Sequence, residues 1–249
     1  MNIIVCVRRA PKTDARIKAG PDGKNYDPAG VEYDISEYDK FAIEAGLLLK
    51  EKLGGKVTAI SVGPKDVSRD LRNVIAMGAD AATLLVSDAA HDPWATASAL
   101  AAKIKALGFD IVFCGQTSVD SQSAQTAPIL AELLGVPCAT VATGLEVADN
   151  KATVQREIDG GKREKYVLKL PAVISCQKGL NKPRSASMKG IMNAKKAVIE
   201  EIPANAPANL VNVLKMDMPP PRPAGKIVGE GPDAAKKLVE LLRNEAKVI

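Results

Sequence analysis

The sequence predicts an α/β protein with a doubly wound, mostly parallel, Rossmann-like sheet, followed by a β-hairpin and an extended C-terminal arm. Three features of the 249 residues support this prediction. Apolar runs of strand length alternate with helix-length amphipathic segments up to about residue 140. Two strand-like segments then flank a Gly-Gly turn, and the final part of the chain is rich in proline and alanine. Strand–helix alternation favours a parallel sheet with right-handed crossovers.

Each predicted strand of the parallel sheet is a continuous apolar run rather than an alternation of apolar and polar residues. Strands buried on both faces have this pattern, because helices cover both sides of a parallel sheet. The predicted strands are Ile3–Val7, Val57–Val62, Ala82–Val86 and Ile111–Cys114.

The segments between these strands have the spacing of amphipathic helices. In the first segment Phe41, Ala45 and Leu48 recur at intervals of four and three residues, which places them on one face. Gly78 and Gly108 follow the second and third segments, as expected where a helix ends. The predicted helices are Tyr38–Leu53, Asp66–Met77, Asp92–Leu107 and Ser123–Leu134.

Beyond about residue 140 the pattern changes. Asp159–Gly161 separates the strand-like segments Ala152–Ile158 and Arg163–Leu170, which predicts a β-hairpin. A further predicted strand, Pro171–Ser175, leads into the loop Gly179–Arg184. This part of the chain therefore extends the sheet beyond the alternating units.

The last part of the chain is predicted to be an arm rather than part of the core. Pro219–Pro223 contains four prolines and can form neither a helix nor a central strand. An amphipathic helix, Pro232–Lys247, closes the chain. We therefore divide the chain into an α/β domain, residues 1–200, and an arm with a terminal helix, residues 201–249, suited to gripping a partner.

Composition argues against several classes of function. The net charge is +5, but acidic and basic residues are interspersed and aromatic residues make up only 3%, which argues against nucleic-acid binding. No apolar run reaches the roughly 20 residues of a spanning helix, and no signal peptide is evident, so we expect a cytoplasmic protein without membrane insertion. With a single histidine, His91, neither a metal site nor a Ser–His pair is suggested. Four scattered cysteines are expected to be small buried residues: Cys6, Cys114, Cys138 and Cys176.

The best candidate site is the segment Gly115–Thr126, which follows a predicted strand and runs into a helix. Ligands of open parallel sheets bind at the carboxyl ends of strands, and polar groups at a helix start suit phosphate and ribose oxygens. Two other strand ends, Cys6–Arg9 and Ser61–Pro64, should lie on the same edge. The segment lacks both GxGxxG and GxxxxGK[ST], so on spacing alone a helix capped by Asp120 explains it as well as a nucleotide site does.

Charged residues near these strand ends leave their role open. Ser36–Asp39 begins the first helix, where capping and the helix dipole explain a serine and two acids without a ligand. Arg8 and Arg9 could contact these acids or a phosphate. No set of residues has the spacing of an acid–base or nucleophilic centre, so the sequence predicts a binding protein whose chemistry is supplied by a cofactor.

The stretch Leu170–Lys196, which contains LNKPR and IMNAKK, resembles a motif of electron transfer flavoprotein β subunits. Val154–Gly161, Met77–Asp80 and the segment Gly115–Thr126 fit the same family, so the resemblance spans nearly the whole chain. It implies a heterodimer in which the α subunit carries most of a redox-active FAD and the β subunit contacts it, wrapping its C-terminal segment around α. It also implies electron transfer from flavin dehydrogenases, typically acyl-CoA dehydrogenases, to a quinone reductase or another acceptor.

The resemblance places an adenine-nucleotide site at the predicted sheet edge. Most members hold a structural AMP there, whereas electron-bifurcating members hold a second FAD that reacts with NADH. Bifurcating members read Asp-Gly-Asp-Thr-Ala-Gln where this chain reads Asp-Ser-Gln-Ser-Ala-Gln, and serine hinders the backbone from approaching a diphosphate, which favours AMP. The residues that match the site are Cys6, Ser36, Glu37, Tyr38, Asp39, Val62, Gly115, Ser118, Asp120, Ser121, Ser123, Ala124, Gln125 and Thr126.

The loop that follows Pro171–Ser175 resembles the family's dehydrogenase-docking element, in which the residue matching Leu180 enters an apolar pocket of the dehydrogenase. We expect Leu180 to be exposed and surrounded by Lys178, Lys182 and Arg184, as an apolar anchor with a charged rim. The docking residues implied by the resemblance are Leu180, Asn181, Pro183 and Arg184.

Three functions remain open at this point. The first is an electron carrier subunit with AMP, and the second is a subunit of a bifurcating oxidoreductase with a second FAD. The third, outside redox chemistry, is a universal-stress-type ATP-binding module, against which stand the missing Gly-rich phosphate loop and the long tail. We also expect the isolated subunit to associate non-specifically or to be partly disordered, because its arm has few contacts with the rest of the chain.

Overall fold

The structure is a computed structural model that describes residues 1–221 and 224–249. Within these residues nine strands form one sheet, and two short strands form a separate antiparallel ribbon. In chain order the strands are β1 (Asn2–Cys6), β2 (Arg9–Pro11), β3 (Tyr33–Ile35), β4 (Lys56–Gly63), β5 (Ala81–Val86), β6 (Ile111–Gly115), β7 (Cys138–Ala148), β8 (Lys151–Ile158), β9 (Lys162–Lys169), β10 (Ala172–Cys176) and β11 (Glu200–Pro203). The helices are α1 (Glu37–Leu53), α2 (Ser68–Met77), α3 (Pro93–Leu107), α4 (Thr126–Leu134), α5 (Met188–Lys196) and α6 (Ala234–Asn244).

The main sheet has the strand order β11-β5-β4-β1-β6-β10-β7-β8-β9. Neighbours from β11 to β7 are parallel, whereas β8 and β9 add antiparallel pairings. The chain winds outward from β1 through β4 and β5, then returns to place β6 on the other side of β1. The winding direction therefore reverses between β1 and β6, and this switch point is where a doubly wound sheet opens a crevice for a ligand.

Two apolar cores lie on opposite faces of the sheet. The first contains Ile3 and Val5 of β1 with residues of α1 and α2, and the second contains Ile4 of β1 with residues of α3 and α4. Alternate residues of β1 therefore enter different cores, which explains the unbroken apolar runs of the parallel strands. Helix α1 packs tightly on β1 at Gly46, because a Cβ there would lie 3.0 Å from the Val5 side chain.

The predicted architecture is confirmed, with corrections at several element boundaries. The helix predicted to begin at Ser123 begins at Thr126, because the preceding loop contains left-handed residues at Gln122 and Ala124. The helix predicted over Asp66–Met77 begins with a 3₁₀ turn and becomes α-helical only at Ser68. Prediction also missed β2, β3, β7, α5 and β11.

The arm leaves the sheet through the edge strand β11, which pairs with β5. The predicted boundary between residues 200 and 201 falls inside this strand, so the two-part division stays a prediction. Beyond β11 most described residues are exposed, and none of the α6 residues is buried. Of the proline-rich stretch, Arg222 and Pro223 lie outside the described residues. Across the described part of the chain, no helix is long and apolar enough to cross a membrane.

Candidate functional site

A cleft lies at the carboxyl edge of the sheet, beside the switch point between β1 and β6. Its volume is about 300 Å³. The β2–β3 ribbon, the first turn of α1 and the loop after β6 form its walls. The lining residues are Pro11, Lys12, Thr13, Asp14, Asp34, Ile35, Ser36, Glu37, Lys40 and Val119. The sequence predicted the edge, the start of α1 and the loop after β6, but not the contribution of Pro11–Asp14.

Asp39 joins the two sides of the switch point. Its carboxylate accepts hydrogen bonds from the backbone N–H of Arg8, at 2.7 Å, and of Gly115, at 2.8 Å. Gly115 is needed there, because a Cβ would lie 2.3 Å from the Asp39 carboxylate. Burial raises the pKa of Asp39 to about 7, although the two amides act to lower it. Asp39 is therefore buried at the carboxyl edge of the sheet, and each of its carboxylate oxygens accepts a hydrogen bond from a backbone amide.

A second connection across the switch point joins Arg8 to Asp120. The Arg8 guanidinium donates to both carboxylate oxygens of Asp120, with Nη2 at 2.6 Å and Nε at 3.2 Å. Burial opposes ionisation of Asp120, but the hydrogen bonds and charge of Arg8 outweigh it and hold the pKa of Asp120 below its ordinary value. The alternative in which Asp120 caps α4 is wrong, because the residue before α4 is Gln125 and makes no side-chain cap.

The loop after β6 holds its backbone in an uncommon conformation. Gln122 and Ala124 have φ values of 48° and 52°, which non-glycine residues rarely adopt. Ala124 is followed by right-handed Gln125, and such a left–right pair turns successive amides toward one concavity, a geometry that binds anions. The Ser118 and Ser121 hydroxyls lie 3.0 Å apart and fasten the base of the loop. Strain of this kind concentrates at ligand sites.

Three hydroxyl groups at this edge of the sheet lack a hydrogen-bond partner in the described part of the chain. Ser36 Oγ, Ser61 Oγ and Thr117 Oγ1 are buried and have no hydrogen-bond partner among residues 1–221 and 224–249. Buried hydroxyls are normally paired, and of these three Ser36 lines the cleft, where its Oγ is available to a polar atom of a ligand. Ser36 was among the predicted site residues, whereas Ser61 and Thr117 lay only within the strand-end segments. The sequence signal that could have identified Ser61 and Thr117 is the presence of a polar residue at the end of a buried strand.

The predicted nucleotide-site residues fall into three groups in the structure. Ser36, Asp39, Gly115, Ser118 and Asp120 come together at the switch point. Exposed or half-exposed positions in the loop and in the first turns of α1 and α4 form the second group: Glu37, Tyr38, Ser121, Ser123, Ala124, Gln125 and Thr126. Cys6 and Val62 form the third, because both belong to the core under α3 and α4.

The loop after β10 differs from the expected arrangement of an exposed leucine with a charged rim. Leu180 is half-buried and packs against the core under α1. Asn181 Nδ2 donates to the Phe41 carbonyl at 2.9 Å, and the Arg184 guanidinium is paired with Glu44 and Glu51 of α1. The expectation that Leu180 is exposed is therefore wrong, whereas the docking role of Leu180, Asn181, Pro183 and Arg184 stays a prediction. The loop is attached to α1, and Lys178 and Lys182 are its exposed cations.

Comparison with known proteins places the chain in a family. A family model described as an electron transfer flavoprotein domain matches residues 24–207. A Bacillus subtilis (strain 168) protein named electron transfer flavoprotein subunit beta is 39% identical over 261 residues and covers 100% of both chains. A Syntrophomonas wolfei protein of the same name is 40% identical over 250 residues, covering 100% of this chain and 98% of its own. The chain belongs to the electron transfer flavoprotein β-subunit family.

Similarity within the β-subunit family extends beyond the sheet. The matched domain ends at residue 207, just after β11, whereas the relatives match the chain along its full length. A Dictyostelium discoideum protein named electron transfer flavoprotein subunit beta, 32% identical over 254 residues, also covers 100% of this chain. The arm is therefore shared with β-subunit relatives from distant organisms.

Proposed function

We propose that the chain is the β subunit of a heterodimeric electron transfer flavoprotein, with a structural AMP at the switch-point cleft. Its FAD would be shared with an α subunit and would supply the redox chemistry. The complex would carry electrons in the cytoplasm from flavin dehydrogenases of the acyl-CoA dehydrogenase type to a quinone reductase or another acceptor. The observation that supports the nucleotide site is the set of unpaired buried hydroxyls beside the strained loop.

The roles of the chain's own residues follow from their positions. Ser36, Ser61 and Thr117 would hydrogen-bond ribose or phosphate oxygens, and the loop amides around Ala124 would face the phosphate. Asp39 and the Arg8–Asp120 pair would hold the two sides of the cleft together rather than contact the nucleotide. A cleft of about 300 Å³ is at the small end of ligand sites, which favours a mononucleotide over a second FAD.

The exposed apolar surface of the arm supports an α-subunit partner. Soluble chains rarely leave so many large apolar side chains in water unless a partner covers them. Helix α6 has an apolar stripe but buries none of its residues. The exposed apolar residues between the end of β11 and the middle of α6 are Leu210, Val211, Val213, Leu214, Met218, Ile227, Leu238 and Val239.

A nucleotide count on the complex with its natural α partner tests the proposal. The purified complex is denatured, and the released FAD and AMP are quantified by chromatography against protein. We expect one FAD and one AMP per heterodimer. Two FAD and no AMP would replace the proposal by the bifurcating alternative, with NADH bleaching the flavin. A flavin-free homodimer that binds ATP would replace it by the universal-stress-type alternative.

A variant with a matched control tests which residues hold the nucleotide. Ser36→Ala combined with Thr117→Val removes two unpaired buried hydroxyls, and we expect AMP affinity to fall about tenfold or more. Ser98→Ala removes a different unpaired hydroxyl, on α3, whose residues do not line the cleft. This control should retain AMP. Equal retention by both variants would contradict the placement of the nucleotide.

A further inference from the structure

We propose that Glu44 of α1 is a positioning residue for dehydrogenase docking, because it holds the loop Gln177–Ser187 in its docking-competent shape through Arg184. The inference rests on the proposed function and on the docking role that the family resemblance implies for this loop. Glu44 itself lies beneath the loop, with 5% of its side chain exposed, so it acts through the loop rather than by touching the partner.

The contact between Glu44 and Arg184 is bidentate, and the backbone of the loop also takes part in it. The Arg184 Nε and Nη2 groups donate to separate oxygens of Glu44, each at 2.9 Å. The backbone N–H of Arg184 donates to the same carboxylate at 3.1 Å. One buried carboxylate therefore fixes both the side chain and the main chain at this point of the loop. Paired donors in a planar fork give such a contact a defined direction.

Glu51 binds the same guanidinium from a more exposed position. Glu44 and Glu51 are seven residues apart, so two turns of α1 place both on the face beneath the loop. The Glu51 side chain is 55% exposed, whereas Glu44 is almost fully covered. Solvent screens the Glu51 contact, and removing one partner of a covered pair has the larger consequence. Glu51 is therefore the matched control for Glu44.

Two neighbouring contacts complete the attachment of the loop to α1. Asn181 donates to the Phe41 carbonyl one turn before Glu44, and Leu180 packs against the core under the same helix. Gly179, with a φ of 97°, makes the turn that brings the loop back toward α1. Lys178 and Lys182 lie on either side of Gly179–Asn181 and stay exposed. The loop thus presents two cations outward, while Asn181 and Arg184 are bound to α1.

A loop that is held before association loses less conformational freedom when a partner binds. Glu44 should therefore affect the affinity of the docking step and not the electron-transfer step that follows, since a preformed loop lowers the cost of ordering side chains at an interface. The distinction can be measured, because a defect of affinity raises KM and leaves kcat unchanged, provided that the flavin and the nucleotide stay bound.

The test compares Glu44→Gln with Glu51→Gln in the heterodimer formed with the natural α partner. Hydrogen exchange of the amides from Gln177 to Ser187 reports the loop directly. Steady-state reduction of the heterodimer by an acyl-CoA dehydrogenase and its acyl-CoA substrate reports docking. For Glu44→Gln we expect faster loop exchange and a KM for the heterodimer raised about tenfold at unchanged kcat. For Glu51→Gln we expect less than a twofold change in KM.

Arg184→Gln and the double variant show whether Glu44 acts through Arg184. If it does, Glu44→Gln combined with Arg184→Gln is no worse than Arg184→Gln alone. Additive KM effects, unchanged loop exchange in Glu44→Gln, or loss of kcat without a change in KM would each overturn the inference. If Glu44→Gln fails to assemble, Arg184→Gln, which alters the half-exposed partner, must show the same exchange and KM changes, and their absence would overturn it equally.

The two readouts separate this inference from the proposed function. A heterodimer without FAD, or one that no acyl-CoA dehydrogenase reduces, would contradict the proposed function, and loop exchange would still decide whether Glu44 holds the loop. A wild-type heterodimer that accepts electrons, with a Glu44→Gln variant of unchanged KM, would contradict the inference and leave the proposed function in place.

Discussion

The sheet region and the arm use similar apolar residues in opposite ways. In the sheet region, residues such as Leu71 and Leu84 are fully buried in one of the two cores. In the arm, Leu214 and Ile227 are each 87% exposed. Soluble proteins rarely expose large apolar patches, and those that do commonly use them to contact another protein. The comparison supports the proposal that the arm packs on an α subunit.

The beginning of the arm is nevertheless attached to the sheet region at several points. Lys103 and Thr83 hydrogen-bond Glu200 and hold β11 at the edge of the sheet. Further on, Asp92 accepts hydrogen bonds from the amides of Leu210 and Val211. These contacts fix the direction in which the arm leaves the sheet, while its exposed side chains stay available to a partner.

The largest expected effect contrasts one buried leucine with one exposed leucine. Leu71→Ala should lower the free energy of unfolding of the chain by about 2–5 kcal/mol, because it leaves a cavity in a fully packed core. Leu214→Ala should change it by less than about 0.5 kcal/mol. Urea titration of both variants measures the difference. A large loss in Leu214→Ala would show that the arm packs on its own chain, contrary to the comparison.

Removal of the arm tests the same contrast at the level of assembly. A chain ending at Ala206 keeps β11 and the alanines packed beyond it. We expect it to bind the α partner at least about a hundredfold more weakly, equivalent to about 2.7 kcal/mol, because the exposed apolar residues are gone. Affinity is measured by titration with the α partner, with the melting temperature of the truncated chain as the control for folding. Undiminished affinity would contradict the proposed role of the arm.

The parallel part of the fold was predictable because burial on both faces leaves a direct mark on the sequence. Continuous apolar runs identified β1, β4, β5 and β6, and helical spacing identified the helices between them. Strand β7 carried no such mark. It contains many small or polar residues, and Val141 has a φ of 59° where its pairing with β10 is irregular. The three-residue strands β2 and β3 and the exposed helix α5 were missed because short or solvated elements have no distinctive periodicity.

The position of the site was predictable, but the roles of its charged residues were not. A strand-end rule locates the edge, since the carboxyl ends of parallel strands meet there. Pairings such as Arg8 with Asp120 and Arg184 with Glu44 join residues 112 and 140 positions apart. A single sequence does not contain the information for choosing among many possible charge pairs at such separations. For this reason Asp120 was weighed as a cap and Arg184 was expected on the docking rim.

A pH dependence distinguishes the buried carboxylate of the sheet region from the exposed carboxylates of the arm. The pKa of Asp39 is about 7 when folded, against about 3.9 when unfolded. Between these values the folded state binds more protons, so the stability contributed by Asp39 is complete below about pH 4 and is lost as the pH rises through 7. We expect wild type to lose on the order of 2 kcal/mol more than Asp39→Asn between pH 5 and 7.5.

Urea unfolding of the chain at both pH values measures this difference. Asp217→Asn is the matched control, because its carboxylate lies on the arm and is 64% exposed. That variant should follow wild type at both pH values. Parallel behaviour of wild type and Asp39→Asn would show that the two amides from Arg8 and Gly115 keep the buried carboxylate ionised throughout, and would remove the pH contrast between the two regions.

The smallest expected effect concerns the contact that joins the two regions. Asn209 accepts from the Asp92 amide and donates to the Ala90 carbonyl, so Asn209→Ala removes both bonds without touching the Asp92 carboxylate that caps α3. We expect a local loss of about 1 kcal/mol, seen as roughly fivefold faster hydrogen exchange at Leu210 and Val211 with α3 unchanged. Asp92→Ala should speed exchange at both the arm and the first turn of α3, because it also removes the cap. If Asn209→Ala left the two amides as protected as in wild type, the Asp92 carboxylate alone would hold the arm, and the direction of the arm would depend on α3 rather than on a contact of its own.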